Sequence, residues 1–176
     1  MTALKEAILG SPGIFGSTEK GREFSINFIT SHDGMTLNDL VSYNHKHNLE
    51  NGEDNRDGHC SEFSFNCGIE GPTQDAEVLE LRRRKIRLMH FLLQVSNGIP
   101  MMLAGDEMLR TQLGNNNAYC HDSPLTWVDW TLAELNLELV EYVGSLINFR
   151  KKNLGFLFSE TSHFRWFNAI GEEESL

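Results

Sequence analysis

FSINFITSHDG at residues 24–34 and IPMMLAGDE at residues 99–107 are the two stretches that decide the fold. In the first, Phe24, Ile26 and Phe28 alternate with polar neighbours before Ile29 and Thr30 close a β-rich run, which predicts a buried strand over 24–30. In the second, residues 99–104 form a continuous apolar run of strand length, with Pro100 near its start, where a missing N–H is tolerated. Each run stops at acidic residues: His32-Asp33 after the first, Asp106-Glu107 after the second.

Between them, Leu81, Leu88, Leu92 and Val95 recur on one face and predict a helix over 78–95, closed by Asn97-Gly98. A helix-length crossover is what parallel pairing of the two strands requires. Beyond the second strand, Thr131-Leu-Ala-Glu134 reads as a capping box. It opens a helix carrying Leu139, Val143, Leu146 and Ile147, and Arg150-Lys151-Lys152 suits the negative end of its dipole. Residues 3–9 read as the end of another helix, stopped by Gly10-Ser11-Pro12-Gly13. The result is an α/β pattern of strand, helix, strand, helix. Two strands are few for a parallel sheet, which is normally buried on both faces. The pattern therefore predicts a piece of a larger sheet, or one whose open edges a second copy covers as a homo-oligomer. Residues 1–154 read as one segment, and 155–176 have no clear periodicity.

The chain has 176 residues, 40% of them hydrophobic, enough for one ordinary domain. Fifteen Lys plus Arg against 25 Asp plus Glu give a formal charge of -10, which repels phosphate backbones and anionic membrane surfaces. Nucleic acid and membrane are thus unexpected partners. No apolar run approaches the roughly 18 residues needed to cross a bilayer, and no secretory signal is visible. Cys60, Cys67 and Cys120 are spaced like neither a disulfide framework nor a zinc site, which reads as reduced thiols in a cytoplasmic compartment.

Residues 35–73 are polar and rich in Asn, Asp, Glu, His and Gly, a loop long enough to be functional. Within it Glu53, Asn55 and Asp57 echo a calcium loop but Ser64 stands where the last ligand should be, and His45-x-His47 reads as hydrogen bonding rather than as a metal pair. No metal and no cofactor is expected. Arg82-Arg83-Arg84-Lys85 reads as a solvated, ion-paired helix face. If the strands are neighbours, Asp33, Asp106 and Glu107 share one rim, where paired carboxylates suit work on a glycosidic bond. The alternative is that Asp106 or Glu107 caps a loop or pairs with Arg110. Asn115, Asn116 and Asn117, near Tyr119, Trp127 and Trp130, read equally as a sugar-binding set or as a self-bonded turn.

Longer motifs carry a resemblance. NFITSHDGMTL at 27–37, YNHKHN at 43–48, NGEDNRDG at 51–58, NCGIEGP at 66–72, PMMLAGDE at 100–107, GNNNAYCHD at 114–122 and LTWVDW at 125–130 are similar to the isoamylase and glycogen-debranching branch of the α-amylase superfamily. The resemblance implies a partial (β/α)8 TIM barrel, with the strands at 24–30 and 99–104 as its seventh and eighth. It implies a glycoside hydrolase acting on α-1,6 branch linkages of a branched α-glucan such as glycogen. Asp33 matches the third catalytic carboxylate, the transition-state stabiliser. His32 would bind the same sugar, with Asp106, Glu107, Asn115, Asn116 and Asn117 as further substrate-binding residues. The family's nucleophilic Asp and acid Glu come from the fourth and fifth strands, which nothing here matches. The expectation is therefore a segment inactive by itself, in bacterial cytoplasm or plastid stroma. The alternatives are a non-catalytic glucan-binding or barrel-completing element, and an independent hydrolase pairing Asp33 with Glu107.

Overall fold

Asp75 begins the longest helix: its side chain accepts from Glu77 N at 3.0 Å and Val78 N at 3.1 Å, satisfying donors that an α-helix cannot pair internally. The cap moves the start two residues ahead of the 78 that periodicity indicates. In a computed structural model the described residues are 2–15, 25–60, 63–153 and 165–174. They comprise α1 (Thr2–Ile8), α2 (Pro12–Phe15), β1 (Ile26–Asn27), α3 (Leu37–Leu40), α4 (Ala76–Val95), β2 (Ile99–Pro100), α5 (Thr131–Leu135), α6 (Leu137–Lys152), β3 (Trp166–Phe167) and β4 (Glu173–Glu174).

The predicted parallel pairing is present: Ile26 lies opposite Ile99 and Asn27 opposite Pro100. The ladder is shorter than the apolar runs, and Phe24 lies outside the described residues. Pro100 has no N–H to extend it. Among the described residues no further strand joins this pair, so Ile26 and Ile99 stay 57% and 51% exposed rather than buried. In the segment without periodicity, β3 and β4 form a small antiparallel hairpin.

The chain divides into two compact units. The first holds residues 1–27, 92–100 and 147–176. Buried Asn97 organises it, donating to Ile8 O at 2.8 Å through its backbone N–H and accepting from Asn27 Nδ2 through its backbone carbonyl. Arg150 is buried rather than a solvated dipole partner. It donates to Gln94 O and Ser96 O, both at 2.7 Å, and to Gly98 O, pairing carbonyls that the end of α4 leaves open.

The second unit holds residues 28–91 and 101–146. Its core gathers Leu37, Val41, Cys67 and Ile86, with Ile29, Leu40, Val78, Met89, Leu109 and Leu139 packed around them. Two expectations are corrected here. Arg82 is not on a solvated face: it is buried and donates to Gly71 O at 2.8 Å, Asn66 O at 2.9 Å and Ile69 O, so one guanidinium fixes the end of the long polar loop. Thr131 does not cap its helix either. Trp130 is the cap residue and gives no side-chain bond, while Asp129 holds Thr131, accepting from its N at 2.9 Å and its Oγ1 at 2.7 Å, and Asn136 interrupts the helix before α6.

Candidate functional site

Within the second unit, residues 30–37 form an arch held at both ends and at its crown. Thr30 Oγ1 donates to Asp106 Oδ2, and Leu37 N donates to Asp106 Oδ1 at 2.9 Å. Gly34, at φ +126, donates from its N–H to Asn116 O at 3.0 Å; that positive φ is open to glycine and strained for other residues. The bends this forces leave His32 and Asp33 projecting, with side chains 87% and 66% exposed and His32 Nε2 3.5 Å from Asp33 Oδ2.

The two residues line an open pocket of about 220 Å³ with Leu103, Arg110, Gln112, Asn117, Ala118, Tyr119 and Thr126. Asp33 is its carboxylate, Gln112 and Asn117 its amides, and the exposed Tyr119 its aromatic ring. Arg110 is fixed by donating from Nη2 to Thr126 O at 2.8 Å. Hydroxyl-binding groups beside an exposed ring suit a neutral polar ligand with apolar faces. Gln112 and Thr126 carried no sequence signal, since nothing in their spacing sets them apart.

The other expected site residues stand elsewhere. Asp106 is only 3% exposed, and both its oxygens are taken by the arch. Burial pushes its carboxyl up to about 6, against the opposing hydrogen bonds from Thr30 and Leu37. Glu107 folds back on its own turn, accepting from Gly105 N at 3.0 Å through Oε2. Asn115 and Asn116 are 1% exposed and knit two loops together. Asn116 Oδ1 accepts from Asn48 Nδ2 at 2.8 Å, Asn116 Nδ2 donates to His59 O at 3.0 Å, and Asn115 Nδ2 donates to Asn51 Oδ1 at 2.6 Å. Neither lines the pocket, so the rim expected to hold Asp106, Asn115 and Asn116 against a ligand is instead the frame behind it. Asn117 serves both: it lines the pocket and donates through Nδ2 to Asp57 Oδ2 at 2.8 Å.

The long polar loop supplies the rest of that frame. Hydrogen bonds from Asn51 and Asn117 hold the Asp57 carboxyl below its usual range. Asn55 Oδ1 accepts from Asn48 N at 2.8 Å, so one of the residues that echo a calcium loop holds the loop's own backbone. At Gly58, φ +71, an added Cβ would lie 2.9 Å from Asn48 Nδ2 and closer still to Asn116 Oδ1, so only glycine lets this loop approach the Asn run. His47 Nε2 sits 3.1 Å from Glu70 Oε1. Partial burial pushes Glu70 up, but hydrogen bonds from Asn44 N, His47, Asn66 and His45 N outweigh it and bring the carboxyl down to about 2. Among the described residues no group of three or more His, Cys, Asp or Glu could hold a metal ion. No described helix is long and apolar enough to cross a membrane.

Asp39 was missed by sequence reading and answers Asp106 from the opposite loop. It is fully buried, and accepts from Gln112 N at 2.7 Å and from Thr111 Oγ1. Burial raises its carboxyl above the ordinary value, with the bonds from Thr111 and Gln112 opposing.

Comparison with known proteins bears out the motif-level resemblance. No protein-family model matches the chain. A glycogen operon protein GlgX homolog of Mycobacterium bovis is 50% identical over 149 residues, which are 85% of this chain and 21% of that protein. A glycogen debranching enzyme of Erwinia tasmaniensis is 50% identical over 128 residues, 73% of this chain and 19% of that protein. Among solved structures, a pullulanase of Anoxybacillus complexed with maltotetraose superposes with a TM-score of 0.60 at 25% identity, over 85% of this chain and 17% of the pullulanase. The chain spans about a fifth of the length of the curated relatives it matches.

Proposed function

From homology with a segment of the bacterial glycogen debranching enzymes, we propose that this chain carries the transition-state-stabilising wall of an α-1,6-glucan debranching glycoside hydrolase. In this reading β1 and β2 are the seventh and eighth strands of a (β/α)8 barrel. Asp33 accepts hydrogen bonds from ring hydroxyls of the sugar at the cleaved linkage, and His32 binds the same ring. As the glycosidic bond lengthens, positive charge develops on the sugar and its ring flattens. A fixed carboxylate then interacts more strongly than in the ground state, and that difference accelerates the reaction. The observation that carries the reading is the exposed His32-Asp33 pair on a pocket supplied with amides and a free tyrosine ring. Branched α-glucan is the substrate in this reading, glycogen being the glucan that the relatives' names print, and the bacterial cytoplasm is the proposed setting.

Hydrolysis by either stereochemical route needs two carboxyl groups flanking the bond. Among the described residues that line the pocket, Asp33 is the sole carboxylate, and Glu107 is committed to Gly105 N. By itself the 176-residue chain therefore binds glucan without turnover. Reducing-sugar release from glycogen, measured for the wild-type chain and Asp33→Ala beside maltotetraose binding, tests this. Saturable binding without release supports the reading. Turnover that vanishes in Asp33→Ala would show that another group here supplies the acid, and would restore the pairing of Asp33 with Glu107.

A further inference from the structure

The pocket that holds Asp33 is well supplied with oxygens that accept and poorly supplied with fixed groups that give. Gln112 turns its amide nitrogen to Asn115 O at 2.9 Å, and Asn117 turns its own to Asp57 Oδ2 at 2.8 Å, so each leaves its carbonyl oxygen for a ligand. Asp33, when ionised, only accepts. The Thr126 hydroxyl donates to His121 O at 2.9 Å, and His32 Nε2 lies beside Asp33 at 3.5 Å. A sugar hydroxyl gives one hydrogen and accepts at two lone pairs, so a site built from acceptors alone satisfies only part of it.

Arg110 supplies the fixed donor. It is only 7% exposed yet lines the pocket, and a buried guanidinium needs acceptors for its N–H groups. Among the described residues it has one, since Nη2 donates to Thr126 O at 2.8 Å while Nε is buried with no partner and Nη1 has none. The Asp106 carboxylate feels the charge, but its oxygens are taken by Thr30 Oγ1 and Leu37 N. The stem is held as firmly as the head. Arg110 N donates to Gly105 O at 3.0 Å, and Gly105, at φ +96, lets the stem pass where an added Cβ would lie 2.6 Å from Arg110 Cβ and 2.7 Å from its Cδ. A cation fixed at its backbone, its stem and one nitrogen, with a donor left over, is preorganised for an acceptor on a ligand. We propose that Arg110 contacts the sugar directly, its free Nη1 donating to the oxygen of a hydroxyl whose own hydrogen goes to Asp33 or to one of the two amide oxygens. The inference rests on the reading of this pocket as the glucan site. A hydroxyl polarised between a guanidinium and a carboxylate is held more strongly than by either group, which suits a neutral ligand to a pocket lined by one cation and one anion. Lysine in this place would be a point charge, without the planar fork that keeps Nη2 on Thr126 O while Nη1 serves the ligand.

The test titrates the whole chain with maltotetraose and follows the Arg110 guanidinium protons, with Asn117 and Tyr119 as reporters of the pocket. The contact predicts Arg110 Nη resonances that shift saturably with the same dissociation constant as Asn117 and Tyr119. It also predicts nuclear Overhauser effects from those protons to protons of the sugar ring. Arg110→Lys is expected to bind maltotetraose about tenfold more weakly or worse, with backbone resonances outside residues 103–126 unchanged. Reading the contact in the wild-type chain makes the result independent of whether the variant folds. Saturable shifts at Asn117 and Tyr119 with Arg110 silent overturn the proposal and leave the glucan reading standing, as does equal affinity in Arg110→Lys. An Arg110 that responds to inorganic phosphate and not to maltotetraose overturns it in favour of an anion site. Silence at all three residues overturns the glucan reading and the contact with it.

Discussion

Asp33 and Asp106 hold matching positions in the sequence, each an acid soon after a strand, yet their surroundings are opposite. Asp33 sits on the exposed side of an arch whose Leu37 and Gly34 N–H groups are held by Asp106 and Asn116, and it lines the pocket. Asp106 is enclosed, and its oxygens satisfy the donors that the arch would otherwise bury unpaired. A carboxylate at a strand end becomes a ligand group or a structural acceptor according to which backbone donors lie within reach. The exposed acid keeps its geometry only because the buried one has given up its exposure.

That contrast can be broken most forcefully at Asp106. Its carboxyl is raised in the folded chain, so between about pH 4 and 6 the folded state binds more protons than the unfolded state, and stability from this group falls as pH rises through that window. The full effect is on the order of 3 kcal/mol. Urea unfolding across pH should therefore show Asp106→Asn lacking that decline relative to wild type. Next comes Asn116→Ala, which removes from a buried position the side-chain bonds to Asn48 Nδ2 and His59 O and is expected to cost about 2 kcal/mol in the same assay at pH 7. Glu70 has the opposite sign: its depressed carboxyl contributes stability above about pH 4.5 that is lost as pH falls towards 2. Being part exposed, it should contribute only about 1 kcal/mol, read as a shallower acid limb in Glu70→Gln. Asp33→Ala closes the series with a stability change within about 0.5 kcal/mol, because an exposed acid with no donor to satisfy has little to lose on folding.

The sequence disclosed the elements that hydrophobic spacing controls. Leu81, Leu88 and Leu92 foretold α4, and the two apolar runs foretold the parallel pairing of Ile26 with Ile99. The His-Asp motif pointed to the exposed pair. What spacing concealed was the direction in which polar side chains turn. Nothing in the order of residues tells that Arg82 bends towards Gly71 while Arg83 and Arg84 stay exposed, or that Asn116 turns inward while Asn117 reaches the pocket. Those choices depend on unpaired carbonyls and N–H groups brought close by folding, from residues far away in the chain. For the same reason Asp106, Asn115 and Asn116, expected at the ligand, turn inward and do not line the pocket. Composition identified polar groups suited to a sugar, but the backbone of the two loops had prior use for them.

Titrating the whole chain with maltotetraose while following its resonances, in wild type and in Asp33→Ala, tests the central claim most directly. The account predicts saturable shifts at His32, Asp33, Asn117 and Tyr119, with affinity at least tenfold weaker in the variant and an unchanged fold. Equal affinity in the two proteins, or shifts confined to residues away from that pocket, would contradict it.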